Sequence, residues 1–82
     1  MNNLKMLPKV IGTKQTLRAI ETGQVKAVIL AADTDPDIQS KIRANCQKAQ
    51  IQILSCDSKH ALGIAGGINR DAAVIAILGS AD

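Results

Sequence analysis

Apolar positions along the chain fall into alternating continuous and spaced stretches. Val25–Ala32 and Ala72–Leu78 are near-continuous apolar runs rich in Val and Ile, the pattern of strands buried on both faces. Val10-Ile11 and Ile51–Ser55 are shorter extended segments of the same kind. Between them, Leu17 and Ile20 recur at helical spacing, as do Ile38, Ile42, Cys46 and Ala49. Punctuation agrees with this division. Thr13 suits a helix N-cap and Gly23 a helix stop. Asp35 followed by Pro36 fits the cap and first position of the long helix, with Asp37 in its first turn and Lys48 in its last. Ser58 caps a brief helix reaching Ala65, which Gly66-Gly67 ends. A short helical turn is predicted within Met1–Pro8, closed off before the proline, and residues 79–82 trail away.

The order is therefore β-α-β-α-β-α-β. Strands apolar all round need helices on both sheet faces, which predicts a three-layer α/β/α sandwich. Eighty-two residues hold one core, so residues 1–82 are expected to form a single domain. A chain of this length buries only about 60–65% of its unfolded surface. The two apolar runs are far below the roughly 20 residues of a transmembrane helix, and no apolar signal core opens the chain. A cytoplasmic location, without membrane contact, is the expectation.

Composition removes several functions. Phe, Tyr and Trp are absent, which excludes aromatic platforms for base stacking. Cys46, Cys56 and His60 do not form a zinc set in any recognised spacing. No group stands ready to orient a Cys-His pair, so no catalytic residue, metal or cofactor is assigned. The three aspartates at 33, 35 and 37 lack the glycine and closing glutamate of a calcium loop and read as caps. Charge, however, is uneven. Residues 1–26 set Lys5, Lys9, Lys14, Arg18 and Lys26 against Glu21 alone, a local +4. Residues 27–82 hold five basic and six acidic groups, giving −1 and the overall +3. A basic third suggests a polyanion partner on one side of the molecule.

The sharpest local feature is Ile11-Gly12-Thr13-Lys14-Gln15-Thr16-Leu17-Arg18, where a strand ends, a glycine follows and a helix begins. Glycine permits close backbone approach, and the free N–H groups of a helix start favour anions. Lys14 and Arg18, four apart, share a face that Gln15 borders. Lys and Arg reach phosphates, while Gln pairs with base edges. A second glycine-rich stretch runs from Leu62-Gly63 through Gly66-Gly67 to Ile68-Asn69-Arg70-Asp71. It is neither a Walker loop nor a dinucleotide fingerprint.

Taken together, Gly12-Thr13-Lys14-Gln15 with Arg18, Val25–Asp33 leading into Asp35-Pro36, and Leu62-Gly63 through Gly67-Ile68 resemble a known superfamily. It is the kink-turn RNA-binding group named for the L-seven-Ae and L-thirty-e ribosomal proteins, here in its short bacterial form. The resemblance spans about residues 8–79. It implies a three-layer α/β/α sandwich with a mixed four-stranded sheet that grips a sharply bent RNA internal loop. On that mapping Gly12, Thr13, Lys14 and Gln15 lie at tandem sheared G·A pairs, and Arg18 and Lys26 near phosphates. Ile68, Asn69, Arg70 and Asp71 cover the extruded loop nucleotide. Two departures stand out: Asn69-Arg70-Asp71 replaces the usual Glu-Val and small residue, and Ile64 stands where a basic residue commonly follows Leu-Gly. The resemblance implies association with RNA and the ribosome; nothing in the sequence suggests an obligate dimer, so a monomer is expected, and the missing catalytic constellation sets the expectation of no enzymatic activity. The alternative is a ribosome- or protein-docking module of the same fold that lacks specific RNA recognition.

Overall fold

The computed structural model describes residues 4–79. Residues 1–3 of the expected first turn and residues 80–82 of the tail lie outside the described residues. A 3-10 turn at Leu4–Met6 leads into β1 (Lys9–Ile11), α1 (Thr13–Glu21), β2 (Val25–Ala31), α2 (Pro36–Ala49), β3 (Gln52–Cys56), α3 (Lys59–Ala65) and β4 (Val74–Leu78). The predicted alternation is present throughout.

The sheet order is β1-β4-β2-β3. β4 runs antiparallel to both of its neighbours, and β2 pairs with β3 in parallel. The sheet is therefore mixed. Both β-α-β crossovers advance in the same direction across the sheet, so right-handed connections lay α1 and α2 on one face. The segment from β3 to β4 leaves and re-enters at the same end of the sheet, and α3 covers the opposite face.

Side chains confirm the layering. Val28 and Leu30 of β2, with Val74 and Ala76 of β4, pack beneath Ile20 of α1 and Ile42 and Cys46 of α2. Ile29 and Ala31, with Ile75 and Ile77, pack against Leu62 of α3 and against Leu4 of the N-terminal turn. Successive strand residues thus serve opposite cores, as the two-residue strand period requires. Full burial on both faces holds for Val28–Ala31 but not for the start of β2. There Val25 pairs with Leu78 and Ala27 with Ile77, so Lys26 is an extra residue in a β-bulge and is exposed. The bulge places Val25 in the same core as Val28.

Local capping explains where the helices begin. The Asp35 carboxylate accepts the Asp37 N–H at 2.9 Å, with Pro36 opening α2. The Ser58 hydroxyl accepts the Ala61 N–H at 3.0 Å. Each such cap is worth about 1 kcal/mol. At α1 the expectation is corrected: Gly12, not Thr13, is the capping residue, and no side chain caps the helix. α2 ends at Gln50, which adopts a left-handed φ of 59° usually left to glycine or asparagine. Cys46 is buried, Cys56 is half-buried, and both are free thiols.

Candidate functional site

Gly12 has φ 108° and ψ 157°, a region essentially closed to residues with a Cβ. Its N–H donates to the Val74 carbonyl and its own carbonyl accepts the Thr16 N–H, both at 3.0 Å. The chain therefore leaves β1, swings out and enters α1 within one residue. The N–H groups of Thr13, Lys14 and Gln15 precede the first intrahelical bond and have no side-chain cap. α1 also has no acid in its first turn, whereas α2 carries Asp37 there and is capped by Asp35. The α1 start is thus an uncovered donor edge with positive dipole character. Lys14, Gln15 and Arg18 are exposed around it, while Thr16 is fully buried.

The second segment lies against α3. A Cβ on Gly63 would overlap the Arg70 carbonyl oxygen, so only glycine lets the 69–71 backbone rest directly on the helix. The Ile68 N–H donates to the Gly63 carbonyl at 3.1 Å and the Ala72 N–H to the Lys59 carbonyl at 3.0 Å. Together these bonds clip both ends of the loop to α3. Its outer side forms a shallow groove of about 400 Å³ lined by His60, Ile64, Ile68, Asn69, Arg70 and Asp71. His60 Nδ1 stands 3.5 Å from Asp71 Oδ1, with both side chains mostly exposed, so the pair adds little stability. Sequence reasoning missed His60 and Ile64 as lining residues. The available signal was their spacing of four, which straddles Gly63 on one helix.

The two segments meet at the start of β4. Gly12 bonds to Val74, and the loop ends three residues earlier, at Asp71. The Ala73 carbonyl accepts the Ala31 N–H at 2.9 Å and the Thr34 hydroxyl at 3.2 Å, which locks this junction to β2. Gly12, Thr13, Lys14, Gln15 and Arg18 are thereby brought to the same sheet end as Ile68, Asn69, Arg70 and Asp71. Lys26 is not. It lies at the N-terminal end of β2, about 16 Å of strand away at 3.3 Å per residue. Its stem packs along Gly79 instead. Charge at the site end is divided. The β2 and β3 exits carry Asp33, Asp35 and Asp57, while Lys14, Arg18 and Arg70 lie on the β1–β4 side.

Among the described residues no three His, Cys, Asp or Glu side chains gather as a metal site, and no helix is long and apolar enough to cross a membrane. Burial pushes the Cys46 thiol pKa up, away from the thiolate a nucleophile needs.

The sequence model of the Ribosomal protein L7Ae/L30e/S12e/Gadd45 family matches residues 7–82. The chain belongs to this family. The RNA-binding protein YbxF of Geobacillus stearothermophilus is 44% identical over 69 residues, covering 84% of each chain. A Bacillus halodurans protein of unknown function superposes with a TM-score of 0.81 at 28% identity, covering 87% of this chain and 71% of that one. The Giardia lamblia 15.5kD RNA binding protein superposes at 0.80 with 27% identity, covering 89% of this chain and 62% of that one. The sandwich is thus the L7Ae-family fold, with the Gly12 turn and the 68–71 loop at one end of its sheet.

Proposed function

We propose that this chain is a non-catalytic RNA-binding protein that recognises kink-turn or kink-turn-like RNA as a monomer, in the cytoplasm and in association with the ribosome. The observation that carries the reading is the Gly12 turn: a backbone conformation reserved for glycine presents the bare N–H edge of α1 beside a second, clipped loop. The L7Ae-family relatives named as RNA-binding proteins support it.

In this reading the turn enters the groove at the sheared G·A pairs. Gln15 exchanges hydrogen bonds with base edges, while Lys14 and Arg18 meet phosphates. The groove at His60, Ile64 and Ile68 receives the extruded nucleotide against apolar surface. The aspartates at the β2 and β3 exits repel phosphates, so the RNA lies over the β1–β4 side. Binding favours the bent conformer and shifts its population by the difference in affinity between bent and extended forms.

A gel shift with a standard kink-turn, against the same RNA with its G·A pairs changed to Watson–Crick pairs, tests the proposal. Lys14→Ala and Gln15→Ala are expected to weaken kink-turn binding more than duplex binding. Arg18→Ala weakens both and lowers the salt slope by about 1. Equal affinity for the two RNAs at every salt concentration refutes specific recognition. The Asn69-Arg70-Asp71 loop favours the docking-module reading instead if protein partners survive nuclease treatment.

A further inference from the structure

We infer that Lys5 is a phosphate-contacting residue for the RNA arm lying beyond the 68–71 loop, an inference that rests on the RNA-binding reading. The N-terminal turn is not a loose lead-in. Leu4 is 1% exposed and belongs to the α3-side core. The Leu7 N–H closes the turn on the Leu4 carbonyl at 3.3 Å, and Lys9 Nζ donates to the Lys5 carbonyl at 3.0 Å. The backbone of Lys5 is therefore held on both sides.

Its side chain is held too. The Cβ position of Gly67 lies 3.1 Å from Lys5 Cγ and 3.4 Å from Cδ, so the alkyl stem runs across the glycine that opens the 68–71 loop. Gly67 has φ +77°, and its lack of a side chain leaves the stem this track. Lys5 is exposed and, among the described residues, has no carboxylate within ion-pair distance; the one ion pair among them is His60–Asp71. A lysine whose stem is already packed loses less rotamer freedom when it meets an anion. An unpaired ammonium beside the loop thus stands ready for a phosphate. It lies on the α3 side, whereas Lys14 and Arg18 lie on the α1 side. The basic N-terminal third of the sequence is thereby divided between two faces of the sheet, the arrangement that suits a bent polyanion with two arms.

The test compares wild type, Lys5→Met, Lys5→Arg and Lys48→Gln in salt titrations of binding to the kink-turn and to its Watson–Crick control. Lys5→Met keeps the stem and removes the charge, and equal thermal midpoints verify that folding is intact. The expected result is a log–log salt slope lowered by about 0.7–0.9 for Lys5→Met on the kink-turn. Its affinity deficit then shrinks about threefold between 50 and 200 mM salt. Lys5→Arg restores the slope, and Lys48→Gln, on the last turn of α2, leaves it unchanged. A wild-type slope in Lys5→Met, with the kink-turn preference of the wild type intact, overturns the Lys5 assignment alone. Absence of that preference in the wild type overturns the parent reading and this inference with it.

Discussion

Replacing Gly63 with alanine sets two effects of opposite sign against each other. Gly63 lies inside α3, and alanine there gains about 1 kcal/mol of helix propensity over glycine. Against this, the new methyl overlaps the Arg70 carbonyl oxygen and stands 3.0 Å from its carbonyl carbon and 3.3 Å from Asp71 Cα. All three atoms are backbone, so no rotamer change relieves the contact. Forcing a methyl into a closed space costs about 1–3 kcal/mol. If the loop withdraws, the Ala72 N–H bond to Lys59 goes with it, another 1 kcal/mol or so. The steric terms win, leaving a net loss of about 1–3 kcal/mol. For a chain this small that lowers Tm by roughly 4–24 °C. The assay is thermal unfolding, paired with hydrogen exchange at the Ile68 and Ala72 amides, which should exchange faster, and with RNA affinity, which should fall. A Gly63→Ala protein at least as stable as the wild type, with unchanged amide protection, would mean that the loop does not rest on α3.

Gly12→Ala tests conformation rather than space, because nothing lies within 4 Å of the added methyl. It should cost about 1–3 kcal/mol of stability through its backbone angles alone, and RNA affinity should fall further than in Arg18→Ala. Differential scanning and gel shifts report the two effects separately. Thr16 is fully buried and, among the described residues, its hydroxyl has no hydrogen-bond partner. Thr16→Val, which removes the hydroxyl and keeps the shape, should therefore raise stability by about 1–3 kcal/mol in chemical denaturation. Burial raises the Cys46 pKa above its ordinary value of 9.0. The folded state keeps its proton where the unfolded state loses it, so stability should fall as pH rises past 9.0, and less so in Cys46→Ala.

Elements and caps were legible in the sequence because their signals are local. Apolar runs mark the strands, Asp35-Pro36 and Ser58 mark helix starts, and Gly23 and Gly66-Gly67 mark stops. Strand order was not legible, since the placement of β4 between β1 and β2 depends on pairings between distant segments. The bulge at Lys26 was hidden for the same reason: it exists only relative to Leu78 and Ile77. The resemblance placed Lys26 near phosphates, yet its strand position sets it at the other sheet end. Thr13 looked like the cap because its side chain can serve, but the φ that turns the chain out of β1 is available to glycine. Gln50 carried no composition cue for its left-handed angles. The role of Gly63 in seating Arg70 required knowing that the two backbones touch.

The position of β4 also sets when the molecule can become whole. During synthesis β1 emerges before the other three strands, but among the described residues its one sheet neighbour is a strand that begins 62 residues after Gly12. Until Val74–Leu78 has cleared the ribosomal tunnel, β2, α2 and β3 can assemble while β1 and the base of the Gly12 turn wait without a partner. A product cut short before Val74 would lack the carbonyl that receives the Gly12 N–H and would leave β2 with a bare flank. Premature termination therefore yields an aggregation-prone fragment rather than a shortened protein with its glycine corner in place.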